Sequence, residues 1–296
     1  MIKTVLVTGG NGVIGSFIFN KFKKEYSITA LCKSQKKSEI FHSLDLTKNI
    51  DIINFSDNSP KFDALIFLVG LAHKKGKGKE SKLFRMINKQ TLVNLLSVLK
   101  ERNKIPDKII FASTISVYGE KIDKSSYFED SNKSPFSPYA LTKLEAEDYL
   151  LKNFKSKSWV LRFAPVYSSS FLLNINRRIK IGNFYFKIGD GSKKMSLCNI
   201  ENIGDTIEGI LQEKVPSGIY NISDQYDYSY NDIFKHMKVK WFIRIPLIII
   251  KVLYYIGRAF NNLYIRENSI KLISDNIFPS TKIRKNIKLS NNLNND

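Results

Sequence analysis

Along the first half of the chain, short runs of apolar, β-branched residues alternate with segments whose apolar positions recur every three to four residues. The runs at 4–7, 27–31, 64–69, 108–112 and 159–162 are bounded by Gly, Asn, Asp, Ser or charged residues, which predicts five strands. Between them the spacing predicts helices over 13–23, 83–100 and 138–152; in the second, Leu92, Leu95, Leu96 and Leu99 share one face. The run Ala64-Leu65-Ile66-Phe67-Leu68-Val69 is apolar without alternation, as in a strand covered by helices on both faces. The expectation is an α/β fold built on a doubly wound parallel sheet.

After about residue 166 the rhythm breaks into Ser168-Ser169-Ser170 and mixed short segments. Residues 1–167 therefore read as the sheet domain and 168–296 as a smaller substrate-binding cap, with segments near 198–222 expected to return to the sheet. The polar end Asn291-Asn292-Leu293-Asn294-Asn295-Asp296 is predicted to fray. The longest apolar stretch, 241–255, is interrupted by Arg244, Pro246 and Lys251 and falls short of the roughly 20 residues that span a bilayer. A buried cap helix is its preferred reading. The alternative is an interfacial segment, with aromatic ends, that holds the protein peripherally on the inner face of the membrane.

The charge changes the picture. In 296 residues, 47 Lys+Arg against 27 Asp+Glu leave a net +20, which calls for an anionic partner. The lysines are spread along the chain (Lys74, Lys75, Lys77, Lys79; Lys152, Lys155, Lys157; Lys282, Lys285, Lys288) without zinc-finger spacing or an aromatic RNA-binding signature, so no nucleic-acid partner is expected. Cys32 and Cys198 form no CxxC pair and the N-terminus lacks signal-peptide features, so a reducing, cytoplasmic location is expected. His42, His73 and His236 are isolated and imply no metal.

Candidate chemistry begins at Thr8-Gly9-Gly10-Asn11-Gly12-Val13-Ile14-Gly15, which follows the first strand and opens the first helix. Gly9 suits a tight turn, Gly12 lets backbone amides approach a pyrophosphate at the helix N-terminus, and Gly15 lets helix and strand pack closely. The sheet is accordingly expected to be Rossmann-like, with a bound dinucleotide. The acidic residue that would hold the adenosine ribose some 20 residues later is missing; the second strand ends in Cys32-Lys33-Ser34, with no carboxylate before Glu39. Lys33 suits a 2′-phosphate, so the cofactor is read as NADP or NAD, with a slight preference for NADP.

Ser137-Pro138-Tyr139-Ala140-Leu141-Thr142-Lys143 reads as a helix start, with Ser137 at the cap and Pro138 in the first turn. Tyr139 and Lys143 then share a face, and an ammonium beside a phenol, with the positive end of a helix, favours the phenolate of an acid/base. Ser113 and Thr114 end a strand, where ligands sit in open α/β sheets, and offer hydroxyls to a substrate oxygen.

With Asp45-Leu46, Leu68-Val69-Gly70, STISVYG at 113–119, YALTK at 139–143 and later segments such as Leu161-Arg162-Phe163 and Gly189-Asp190-Gly191, the chain resembles the extended short-chain dehydrogenase/reductases of the NAD-dependent epimerase/dehydratase family. The resemblance implies Tyr139 as catalytic acid/base, Lys143 as its electrostatic partner and ribose ligand, and Thr114 as the hydroxyl on the sugar oxygen. It also implies dinucleotide contacts at Asp45, Leu46, Val69 and Gly70, and hydride transfer at C4 of a nucleotide-linked sugar in cell-surface polysaccharide synthesis; the chain could form a homodimer, and the interfacial reading of 241–255 would bring it to a lipid-linked sugar. Ile115 and Ser116 stand where the family's dehydratases carry Asp-Glu, which argues against a 4,6-dehydratase. Met195 stands where many relatives have Arg, with Lys193 as the substitute phosphate contact, and Pro165 replaces a usual Asn. The leading expectation is a 4-keto-sugar reductase. The alternatives are a 4-epimerase and, from another class, a non-catalytic dinucleotide-binding or redox-sensing module.

Overall fold

The computed structural model describes residues 2–33, 41–72, 79–119, 121 and 126–294. Ser34, Glu39, His73, Lys74, Lys75 and Lys77 lie outside the described residues. In chain order the elements are β1 (Thr4–Thr8), α1 (Val13–Phe22), β2 (Ser27–Cys32), β3 (Phe41–Ser43), α2 (Asn49–Asp57), β4 (Ala64–Phe67), α3 (Lys79–Arg85), α4 (Thr91–Glu101), β5 (Lys108–Thr114), α5 (Pro138–Asn153) and β6 (Ser158–Phe163). There follow β7 (Val166–Tyr167), α6 (Leu173–Ile179), β8 (Lys180–Ile181), β9 (Phe184–Ile188), β10 (Lys194–Ser196), β11 (Cys198–Asn199), α7 (Ile200–Leu211), β12 (Gly218–Ile222), β13 (Asp227–Ser229), α8 (Tyr230–His236), β14 (Ile243–Ile245), α9 (Leu247–Ala259) and α10 (Leu263–Ile273).

A seven-stranded sheet runs in the order β12-β6-β5-β4-β1-β2-β3. β1 pairs in parallel with β2 and β4, β2 with β3, and β4 with β5. Parallel neighbours need crossover connections, which α1, α2 and the α3–α4 segment supply here. The fold class expected from the alternating pattern is therefore the one observed. Two differences at strand ends matter for the site. β4 stops at Phe67, before the predicted limit, leaving Leu68, Val69 and Gly70 as a loop, while β5 runs on to Thr114 and carries both hydroxyls at its end. The single helix predicted over 83–100 is broken by a π-helical turn at Met86–Gln90.

The chain divides into two compact units, which interleave in sequence. The first comprises Met1–Thr114, Pro138–Arg162 and Thr206–Tyr220. Its core joins Leu6, Leu65, Phe67, Ile109 and Phe111 of the sheet with the predicted stripe of α4. Inside this core lies an ion pair: the Arg162 guanidinium of β6 donates to both oxygens of Glu147 on α5, with Nη2 at 2.7 Å from Oε2. Both side chains are essentially sealed from water, 0% and 1% exposed, so each charge depends on the other for its solvation.

The second unit comprises Ile115–Ser137, Phe163–Asp205 and Asn221–Asp296. Tyr118, Tyr127 and Phe278 pack ring against ring, with centroids 5.4 to 5.9 Å apart. Buried Asp224 accepts hydrogen bonds from the hydroxyls of Tyr167 and Tyr228, the Asn199 amide and the Asn202 side chain. Burial raises its carboxyl to about 6, and these donors work against the rise. Two sequence expectations are corrected here. The tail is docked as far as Leu293: the Leu293 amide donates to the Tyr228 hydroxyl at 3.0 Å, and Asn291 exchanges hydrogen bonds with Asn202. The apolar stretch is not a buried helix either. α9 buries Ile250, Tyr254 and Gly257 and leaves most of its other apolar side chains exposed, because one stripe spaced four and three residues apart is all that faces the unit's core.

Removing one partner of the buried pair strands the other charge, so Glu147→Ala is expected to destabilise the protein by about 3–5 kcal/mol, measured by urea denaturation. The double change Glu147→Leu with Arg162→Met, which removes both charges, is expected to recover most of that loss.

Candidate functional site

The glycine loop is shaped by close backbone packing. Gly9 has φ +73, in the left-handed region that favours glycine, and a Cβ there would sit 3.3 Å from the backbone of Leu68 and Val69. At Gly15 a Cβ would collide with the Gly9 carbonyl and lie 2.8 Å from Gly10 Cα, so α1 reaches this depth against the loop only with glycine. The Thr8 hydroxyl is buried and accepts the Leu68 amide at 3.3 Å, joining the ends of β1 and β4. Gly12 caps α1 with no side-chain hydrogen bond, and no acid occupies the first turn. The first-turn amides of Val13, Ile14 and Gly15, with half-buried Asn11 beside them, thus keep the positive helix end free of a competing side chain.

Lys33 and Asp45, read separately from the sequence, form an ion pair at 3.0 Å. Burial works to raise the Asp45 carboxyl, but the Thr47 amide and hydroxyl and the Lys33 charge outweigh it and hold it at about 2. Lys33 remains two-thirds exposed, at 66%. Leu46 is buried next to this pair, with its carbonyl accepting from Asn94.

The four residues expected around the acid/base all belong to the first unit, and two of them, Thr114 and Tyr139, are joined by a hydrogen bond. Lys143 is 2% exposed; its Nζ donates to the carbonyls of Ala112 at 2.8 Å and Val69 at 3.2 Å and lies 4.7 Å from the centre of the Phe111 ring. Burial depresses this amine to about 7, against the opposing pull of Glu147. A Cβ on Gly70 would lie 3.2 Å from that same Nζ, so Gly70 clears the space the lysine occupies. Tyr139 hydrogen-bonds with the Thr114 side chain. Ser113 does not join them: its hydroxyl donates to buried Glu147.

The expected phenolate is not favoured in this arrangement. Burial pushes the Tyr139 phenol up to about 12, and the Thr114 hydrogen bond only partly offsets it. Lys143 does not offset that rise: its amine is itself desolvated and donates to two carbonyls. Lys193, the substitute phosphate contact, belongs to the second unit and pairs there with Asp275 at 3.8 Å. Among the described residues no group of three or more His, Cys, Asp or Glu could hold a metal ion.

Asn88 is a site residue the sequence reading missed. It is fully buried on the π-helical turn; its Oδ1 accepts the Leu71 amide at 2.6 Å and its Nδ2 donates to Thr142 Oγ1 at 3.1 Å. One amide thereby ties the loop carrying Val69 and Gly70 to the helix carrying Tyr139 and Lys143. A signal was present: Asn88 precedes Leu92, Leu95 and Leu99 at helical spacing, a polar side chain on an apolar stripe.

The NAD dependent epimerase/dehydratase family matches residues 5–223. A UDP-glucose 4-epimerase of Cyamopsis tetragonoloba is 31% identical over 169 residues, 49% of this chain and 46% of that protein. A human dTDP-D-glucose 4,6-dehydratase is 24% identical over 264 residues, 79% of this chain and 73% of that protein. Against two plant UDP-glucose 4-epimerases the match spans under half of their length, 40% and 46%. In fold, the UDP-glucuronic acid 4-epimerase of Bacillus cereus in complex with NAD superposes with a TM-score of 0.74 at 21% identity, covering 99% of this chain and 93% of that one.

The buried amine sets a pH signature. Folded Lys143 titrates at about 7 against the usual 10.5, so between those values the unfolded chain binds the extra proton and folding is favoured as pH rises. Removing the amine in Lys143→Met is therefore expected to raise stability relative to wild type more at pH 7 than at pH 9.5, read as the difference in Tm across that range.

Proposed function

The chain belongs to the NAD dependent epimerase/dehydratase family, and we propose that it is a nucleotide-sugar 4-epimerase, removing hydride and proton from C4–OH of the sugar and returning them with the opposite configuration. The observation that carries this reading is the Thr114–Tyr139 hydrogen bond on the helix turn that buries Lys143.

A dinucleotide fits the residues present. The uncapped first turn of α1 suits a pyrophosphate, with Gly9, Asn11, Gly12, Val13, Ile14 and Gly15 around it. Lys33, Asp45 and Leu46 would hold the adenosine end, and Val69, Gly70 and Lys143 the nicotinamide end. When bound, the cofactor supplies the hydride acceptor and donor. Tyr139 takes the proton of the sugar's C4 hydroxyl as hydride leaves C4, and delivers it back when hydride returns to the other face. Thr114 holds the same oxygen by a hydrogen bond, so the proton moves along a fixed line. A positive charge brought close to the phenol would lower its pKa toward neutrality, and Lys143, one helical turn on, would supply that charge when protonated.

Both sets of relatives support C4 chemistry, and the absence of an acidic pair at Ile115 and Ser116 separates this chain from the dehydratases' elimination step. The choice of epimerase over reductase rests on Lys33. Its charge is already matched by Asp45, which weakens the case for a 2′-phosphate and hence for exchangeable NADPH. A 4-keto-sugar reductase is the second reading, favoured by the exposure of that same lysine.

The purified protein is expected to retain NAD near one per chain and to interconvert UDP-glucose-type C4 epimers without added reductant, followed by chromatography of the sugar nucleotides. Consumption of NADPH with a 4-keto sugar nucleotide, and no epimer interconversion, would select the reductase.

A further inference from the structure

The second unit carries an apolar surface that the reaction does not use. α9 and α10 form a hairpin whose helices meet at backbone contact: a Cβ on Gly257 would lie 2.8 Å from the Arg266 amide nitrogen. Ile250 and Tyr254 join Phe186, Ile188, Ile270 and Ile273 beneath it. Outside that stripe the helix is apolar and wet. Ile248 is 64% exposed, Val252 50%, Tyr255 56% and Ile256 42%, the reverse of an amphipathic helix docked by its apolar face. Phe260, at the hairpin turn, is 80% exposed, and Trp241, just before β14, 88%.

Along this segment of the chain the charges share one sign. Between Asp232 and Glu267 the sequence holds no carboxylate, while Lys235, Lys238, Lys240, Arg244, Lys251, Arg258 and Arg266 all fall in that interval. Lys251 and Arg258 lie on the exposed side of α9 itself. A second copy of the chain would be a poor cover, because a two-fold contact sets these cations against their own mates with no acid to absorb them. An anionic bilayer accepts both halves of the surface: the aliphatic side chains enter the headgroup–acyl boundary, Trp and Tyr sit at headgroup level, and Lys and Arg meet lipid phosphates. Thirteen residues of helix span about 20 Å, short of the roughly 30 Å hydrocarbon core. No helix among the described residues is long and apolar enough to cross.

We propose that the exposed face of α9, with Trp241 and the α9–α10 turn, docks the protein in the plane of an anionic lipid surface. That location brings the chain to lipid-linked sugars, the second carrier class raised by the sequence, but the docking stands independently of the reaction.

The test is flotation of the full chain with phosphatidylglycerol/phosphatidylcholine vesicles and with phosphatidylcholine alone, at low and high salt. Binding is expected only to the anionic vesicles, and to weaken as salt screens charges beyond a Debye length of about 10 Å at 0.1 M. Val252→Asp with Ile256→Glu is expected to reduce binding about ten-fold or more, with Tm held. Ile50→Asp, at an exposed apolar residue of α2, is expected to leave it intact. No flotation of wild type at low salt, equal binding to neutral vesicles, or undiminished binding by the double variant would overturn the proposal. So would a wild-type dimer that fails to bind vesicles and becomes a monomer with the double variant, which would make the face a contact between copies.

Discussion

Burying one amine organises the first unit of this molecule. Lys143 sits almost out of reach of water, and an ammonium there survives only where oxygen atoms replace its hydration. The carbonyls of Val69, just after β4, and Ala112, in β5, fill that role, so the lysine draws together the loop after β4, the end of β5 and helix α5. Gly70 has no side chain because the amine occupies its place. Asn88 binds the same loop to the same helix from the other side, and Glu147, one turn beyond Lys143, anchors α5 to β6 through Arg162. Tyr139, on the same helix, is thereby placed by a network that reaches from β4 to β6.

The same burial decides the electrostatics. Desolvation favours neutral forms, and it moves the two groups apart from their usual values in opposite directions, the phenol upward and the amine downward. The helix spacing that puts Tyr139 and Lys143 on one face therefore does not by itself make a phenolate. It sets a phenol and a buried amine one turn apart, each held toward its neutral form by desolvation. The open N-terminus of α1 adds a fixed positive potential, with no acid in its first turn to cancel it.

What the sequence made legible was what short-range pattern encodes. Strand runs, the glycine loop and the Tyr139–Lys143 spacing each depend on residues within a turn or two of one another, and the parallel sheet follows from the alternation of strands and helices. What it hid depends on partners distant in the chain. Glu147 and Arg162 look like ordinary charged residues until α5 packs on β6, and Ser113 loses its expected role because Glu147 takes its hydrogen. Lys33 reads as a free cation because its partner Asp45 stands twelve residues further along the chain. The docked tail has the same cause: a polar asparagine run reads as solvated, yet Asn202 and Tyr228 offer it hydrogen bonds. Apolar composition in α9 likewise does not say which face is covered.

The central claim is that proton transfer in a hydride-transfer reaction passes through Tyr139, held by Thr114 and Lys143. The direct test is the steady-state turnover of Tyr139→Phe alongside its dinucleotide affinity. A fall in kcat of about 10²- to 10⁴-fold, the range for loss of a general acid/base, with dinucleotide binding nearly unchanged, is the predicted result. A variant that keeps more than about half of wild-type turnover would contradict the account, since removing an essential acid/base lowers kcat by orders of magnitude.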